Sequence, residues 1–317
     1  MKQVELLPLE DEALHRALAE HKEVQWSKID IQRDDFGNPI RLITTLALKY
    51  PDNGGRIRDG DEEQCYKERL YHTLPNGLHI AHQSTFQTNI LYPEIFDAEV
   101  YLRHNITLTP GDCVFDVGAN IGLFTLFVAR KCSNNAHIYA FEPSPPTFEV
   151  LRTNTLLHAP QTHLCNYGLS DKPGNASLMF FPHMSGMSGL FSQVEKDRDI
   201  FKRGICNWVQ EGENNYDRAT LLHELDNTIE DYFSDSEVYE CQLRTFSSAI
   251  EEYGIAQIDL LKIDVERAEL DVLLGIQEHD WRKIKQIVVE VHNQKLLNHI
   301  IELLTHYDFD MVIETEE

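Results

Sequence analysis

Nine residues carry the first chemical signal: Val114-Phe-Asp-Val-Gly-Ala-Asn-Ile-Gly122. An apolar run enters two glycines and leaves on a helical pattern over Ile121–Lys131. Glycines are needed where a strand turns sharply into a helix and a ligand approaches the backbone closely. The dinucleotide fingerprint G-x-G-x-x-G rests a pyrophosphate on a helix N-terminus, and the G-A-N-I-G spacing does not match it. Asp116, just ahead of the first glycine, would repel a pyrophosphate and suits a cation such as an amino-acid ammonium. Glu142 lies 26 residues further on, at the end of a second strand pattern, where a carboxylate can accept hydrogen bonds from both ribose hydroxyls. Adenosine joined to an amino acid, without phosphates, describes S-adenosylmethionine. The alternative is a tight turn with an incidental acid.

A ligand of this kind lies over the carboxyl ends of parallel strands. Ile258–Asp264 and Gln286–His292 read as two such strands, ending in Asp264 and His292. Imidazole titrates near neutrality, so His292 is the first candidate to take a hydroxyl proton, with Asp264 second or as its orienter. Two residues earlier, Lys262 and Glu290 would face each other in an aligned register and form the ion pair that a buried charge demands. His183 is a third candidate, in the glycine-broken, methionine-bearing loop PHMSGMSG (182–189); methionines suit an adaptable surface, and an ordinary surface loop is the competing reading. Glu266 and Glu269 begin the helix after the fourth strand, and a first-turn acid is favoured by the dipole, so Glu269 needs no functional reading. Asp264, Glu266 and His292 could also supply oxygen and nitrogen ligands to a divalent ion.

The elements that must position these groups alternate. Cys113–Val117, His137–Phe141, Thr162–Asn166, Ile258–Asp264 and Gln286–His292 read as strands, separated by helical patterns. This predicts an α/β, Rossmann-like domain with a mostly parallel sheet and helices on both faces. Ala176–Phe181 and Tyr239–Thr245 read as further strands, Leu91–Leu102 as a helix, and Phe309–Ile313 as a final strand. Residues 1–75 read as an N-terminal appendage or lid with a helix over Leu9–Glu23, and residues 76–317 as the main domain. Within it, 191–240 is an insertion with 13 acidic against 5 basic residues.

The chain of 317 residues has 28 Lys+Arg against 52 Asp+Glu, a net charge of −24. Such a field disfavours nucleic acid and an anionic membrane surface as partners. No apolar run is long enough to span a bilayer, and no leader pattern precedes the acidic start. Six scattered cysteines with no C-x-x-C pair read as reduced thiols of a cytoplasmic protein.

VFDVGANIGLFTLFVAR, YAFEPSPPTFEVLRTN, NYGLSD, LLKIDVERAELDVLLGI and IVVEVHN together resemble the successive motifs of the FkbM family. The resemblance covers about residues 75–315 and implies an S-adenosylmethionine-dependent methyltransferase, mostly of oxygen, with no metal. It implies that Asp116, Gly118, Asn120 and Gly122 line the methionine side, that Glu142 holds the ribose, and that Ser170 and Asp171 flank the adenine. LPNGLHIAH, LYPEIFDAEVYLRH and FFPHMSGMSGL resemble the FkbM-type domains embedded in polyketide synthases and nonribosomal peptide synthetases. That implies an acceptor tethered to a carrier protein by phosphopantetheine; a free natural product or sugar, or a silent domain that keeps the fold, are the alternatives. Two departures stand out. Arg267 replaces a common glycine, and the usual closing strand is missing, so the chain reads as a fragment with an open sheet edge unless Leu42–Tyr50 fills it.

Overall fold

The computed structural model describes residues 25–33, 39–47, 71–191, 198 and 236–314. Strands β1 (Gln25–Arg33) and β2 (Pro39–Ala47) form an antiparallel pair. This pair lies C-terminal to the helix expected in the appendage. The expected helix over Leu9–Glu23 and nearly all of the acidic insertion lie outside the described residues. Leu42–Ala47 belongs to β2 and pairs with β1, so it does not complete the main sheet.

A second hairpin, β3 (Tyr71–Thr73) and β4 (His79–Ala81), turns through Asn76-Gly77, with Gly77 at φ +87°. Helix α1 (Thr85–Tyr92) starts where the Ser84 side chain accepts from the Gln87 N–H. The helix expected over Leu91–Leu102 is broken. Pro93 lacks the donor that would continue α1, and the chain proceeds as a π turn (Pro93–Asp97) and a 3₁₀ turn (Val100–Leu102). Between them Glu99 takes φ +46°, held by an ion pair to Lys131 at 2.7 Å. This bend delivers Tyr101 to the site described below.

The main domain follows: β5 (Cys113–Val117), α2 (Leu123–Lys131), β6 (His137–Phe141), α3 (Pro145–His158) and β7 (His163–Cys165). Then come β8 (Gly168–Ser170), β9 (Gly174–Phe180), β10 (Glu237–Thr245) and α4 (Phe246–Glu252). The described chain closes with β11 (Leu260–Ile263), α5 (Glu269–Leu274), β12 (Ile287–Val289) and α6 (Gln294–His306). The sheet order is β12-β11-β5-β6-β7, every pair parallel, so the fold is the expected Rossmann-like α/β arrangement. A smaller sheet, β8-β10-β9, stands apart. Phe309–Ile313 is not a strand: Phe309 packs edge-on against Trp281 instead.

Parallel strands covered on both faces read as continuous apolar runs. Phe115, Val117, Phe141, Leu261 and Ile263 bury one face against Phe246 and Val272. Val114, Ile138 and Leu260 bury the other against α2. Each such side chain contributes roughly 1.5–3 kcal/mol of burial. Because side chains alternate, the polar Asp116 and Lys262 share the α2 face with Val114 and Leu260, and the register pairs Lys262 with Asp116 directly.

Candidate active site

The glycine loop crosses the carboxyl ends of the strands. Gly118 has φ +78°, and a Cβ there would lie 1.8 Å from the Asp264 carbonyl oxygen, so only glycine fits. Gly122 has φ +93° and opens α2. Asn120 has φ +49°, a region Asn tolerates. Its side chain accepts from the Ile121 N–H at 2.7 Å. Asn154 of α3 secures the loop from below, donating to the Ile121 and Ala81 carbonyls and accepting from the Ala81 N–H.

Glu142, buried at the end of β6, accepts from the Asn120 N–H at 2.9 Å and the Ser144 N–H at 2.8 Å. Burial pushes its carboxyl up to about 7, against the pull of those two N–H groups and of Lys262. Each carboxylate oxygen keeps a second lone pair, so the pair of hydroxyls on a ribose can still be accepted. The cradle at Gly118 and this acid at the next strand's end fit S-adenosylmethionine.

Lys262 is the hub of the site. It is 3% exposed and donates to the Gly118 carbonyl at 2.8 Å. Its ion-pair partners are Asp116 Oδ1 at 3.2 Å and Asp264 Oδ2 at 3.4 Å. Burial pulls the ammonium down, and the facing Asp116 and Asp264 charges carry it above its usual value. Asp116 has no exposed surface and also accepts from the Thr125 hydroxyl at 2.6 Å. It is therefore the internal counter-ion of Lys262, and a ligand's ammonium is not what it faces.

The expected Lys262–Glu290 pair is also replaced. The register is Lys262 with Val288 and Ile263 with Val289, so Glu290 stands opposite Asp264, two residues from the alignment assumed above. Tyr101, unremarked in the sequence, joins these two acids: its hydroxyl donates to Asp264 at 3.1 Å and reaches Glu290 at 3.4 Å. Burial and the two carboxylate charges push its pKa up.

His292 is not hydrogen-bonded to Asp264; two other acids hold its ring. Its Nδ1 bonds Glu269 at 2.7 Å and its Nε2 lies 3.2 Å from Glu266. Glu269 is fully buried, so its position at the start of α5 serves more than the helix dipole. Burial lowers His292, but the bonds and charges of Glu266 and Glu269 outweigh it and push the ring up to about 11. It is an imidazolium at neutral pH, not a proton acceptor, and it offers a cation no lone pair. A ring whose folded value lies above its unfolded 6.5 contributes stability in full below that pH and loses it as pH rises toward 11. The stability gap between the protein and His292→Gln should therefore narrow from pH 7 to pH 10 in urea titrations. An unchanged gap would remove the clamp.

Arg267 explains its own oddity. It has φ +76°, and Glu266 before it has φ +51°. A left-handed conformation costs a non-glycine residue about 1–2 kcal/mol. Arg267→Gly should raise stability by about 0.5–1 kcal/mol after glycine's own entropy is subtracted, read as a shift in denaturation midpoint; a loss would mean the side chain outweighs the strain.

The remaining candidates divide. In the 182–189 loop, His183 itself is exposed. Its neighbour Ser185 is buried and donates to Asn120 Oδ1 at 3.1 Å and Gln87 Oε1 at 3.0 Å. The loop is thus tied to the glycine loop through Ser185, and Gln87 joins the site unforeseen. Ser170 is buried at the end of β8, in the smaller sheet, and its hydroxyl donates to the exposed Asp171. No helix among the described residues is long and apolar enough to cross a membrane.

A parallel sheet of this order, a glycine turn after its central strand and a buried acid after the next define a nucleoside-cofactor-binding α/β enzyme of the methyltransferase class. Comparison with known proteins narrows it. Residues 116–311 match the methyltransferase FkbM domain. The 31-O-demethyl-FK506 methyltransferase FkbM of Streptomyces tacrolimicus is 37% identical over 244 residues, 77% of this chain and 90% of that protein. The AMB antimetabolite synthetase AmbE of Pseudomonas aeruginosa is 39% identical over 236 residues, 74% of this chain but 11% of its own length. The methyltransferase sdnD of Sordaria araneosa is 31% identical over 245 residues, 74% of this chain and 86% of that protein. The chain belongs to the FkbM family of S-adenosylmethionine-dependent methyltransferases.

Proposed function

We propose that the protein transfers the methyl group of S-adenosylmethionine to an oxygen of an acceptor presented on a carrier protein. One observation carries the reading: Lys262, Asp264, Glu290 and Tyr101 converge at the carboxyl ends of β11 and β12, beside the Gly118 cradle. When bound, the cofactor supplies a sulfonium carbon open to in-line attack. Positioning then accounts for much of the rate, and an acceptor hydroxyl needs somewhere to put its proton. Gly118, Asn120 and Gly122 shape the methionine end and Glu142 holds the ribose. His292 stays charged at the rim, and the Ser185-anchored loop borders the acceptor space.

Oxygen as acceptor is supported by the name of the Streptomyces relative, a methyltransferase of an O-demethyl compound. Carrier presentation is supported by AmbE, where a similar segment is a small part of a far longer synthetase. The second reading is a free acceptor, favoured by the Streptomyces protein, of which the chain covers 90%. Transfer of labelled methyl to hydroxyacyl groups on holo carrier protein, compared with the same groups as free thioesters, separates the two. Labelling of neither, with cofactor still bound, would leave a silent methyltransferase-fold domain.

A further inference from the structure

The charges around Tyr101 do not balance. Five carboxylates, of Asp116, Asp264, Glu266, Glu269 and Glu290, surround two cations. Lys262 is taken by Asp116 and Asp264, and His292 by Glu269 and Glu266. Glu290 has His292 Nε2 no nearer than 4.0 Å and shares the Tyr101 hydroxyl, which lies closer to Asp264. The ligand-type atoms of Asp264, Glu290 and His292 all fall within 4.8 Å of one another. Glu290 is also the outermost member, 54% exposed against 26% for Asp264.

We propose that Glu290 takes the acceptor's hydroxyl proton, and that it is made ready for this by the positive charge of the bound methyl donor. This rests on the methyl-transfer reading above. The groups facing Glu290 act on it from every side: Asp264 from β11, Lys262 behind it, Glu266 from the turn before α5, His292 beyond its own strand, and Tyr101 from the 3₁₀ turn. Repulsion by Asp264 comes first, then burial; His292 and Lys262 oppose them and Glu266 adds to them, leaving the carboxyl at about 8. With Asp264 crowding it and no cation among the described residues nearer than 4.0 Å, Glu290 in the empty protein holds its proton more tightly than an ordinary carboxyl. It gives that proton to solvent when a sulfonium binds beside it, since an added positive charge favours the carboxylate. In the transfer step the acceptor oxygen forms the O–C bond. The C–S electron pair returns to sulfur, and the hydroxyl proton moves to the Glu290 carboxylate. S-adenosylhomocysteine carries no sulfonium, so Glu290 keeps this proton as product leaves. One proton is released to solvent for each methyl transferred, as the overall reaction demands.

The test needs no acceptor. S-adenosylmethionine and S-adenosylhomocysteine are titrated calorimetrically at pH 7.5 in phosphate and in Tris, whose ionisation heats differ. S-adenosylmethionine should release more protons than S-adenosylhomocysteine, because any release from Glu142 is common to both. Glu290→Gln should bind both ligands and lose that difference. A difference that persists in the variant, or none in the parent, overturns the proposal. So does a difference that vanishes with chelator and returns with magnesium, which would make the cluster a metal seat. Binding of neither ligand would defeat the methyl-donor reading itself. In the carrier-protein assay, Glu290→Gln should lower turnover by about 10²–10⁴-fold with cofactor affinity kept; undiminished turnover would also overturn the proposal.

Discussion

Lys262→Ala is expected to destabilise the protein by about 3–5 kcal/mol, the cost of leaving buried carboxylates without their cation. Three groups lose their partner together: Asp116, which has no exposed surface; the Gly118 carbonyl at 2.8 Å; and Asp264 at 3.4 Å. The Thr125 hydroxyl remains to Asp116, but a single neutral donor does not replace an ammonium. The loss should appear as a lower urea midpoint and as weaker cofactor binding, because the staple holds the glycine loop. Combining Lys262→Met with Asp116→Asn removes both charges and should recover much of the stability, since the penalty lies in the unpaired charge rather than in the missing bond. Cofactor affinity should not recover with it. A single-variant loss below about 1 kcal/mol would mean that water reaches Asp116 and that the hub is dispensable.

The layout of this hub shows which parts of the site the sequence could disclose. The apolar runs CVFDV, HIYAF and IDLLKID and the glycines after the first state the central sheet and its turn, because a strand buried on both faces leaves nothing else to read. Glu142 is legible for the same reason, as an acid fixed at a strand end. The partners of Lys262 are not legible, because they depend on register. A two-residue offset keeps every side chain on its face and preserves the hydrophobic pattern, so sequence alone does not choose between Glu290 opposite Lys262 and Glu290 opposite Asp264. Tyr101 hides for another reason. It lies in one turn of 3₁₀ helix after a π turn and a left-handed Glu99, and no periodicity survives such a path. Glu269 is read correctly as a first-turn acid of α5, but its burial against His292 comes from a tertiary contact across to the end of β12. The glycine common at position 267 carried a recoverable signal: it marks a positive φ, which Arg267 adopts.

Glu142→Ala should weaken S-adenosylhomocysteine binding by about 1.5–3 kcal/mol for each ribose hydrogen bond to the charged carboxylate that is lost, roughly 10- to 100-fold. The true loss should exceed one such bond, because Glu142 also accepts from the Asn120 and Ser144 N–H groups and so shapes the loop from Gly118 to Gly122 and the turn into α3. Glu142→Gln separates the two functions. It keeps the side chain's length but turns one acceptor into a donor facing a backbone N–H. Its affinity should fall while the fold, followed by circular dichroism and urea midpoint, changes less than in the alanine variant. The pH dependence has a definite sign. Burial holds the free carboxyl near 7, and hydroxyl donors favour its charged form, so the bound value lies lower. Affinity for S-adenosylhomocysteine should therefore be full above about pH 7 and decline as pH falls through that range, and Glu142→Gln should flatten the decline. S-adenosylhomocysteine is the right probe, since it lacks the sulfonium that would also act on Glu290. A parent protein whose affinity is unchanged between pH 8 and pH 6 would show that the ribose is held by another group, and that Glu142 serves the loop alone.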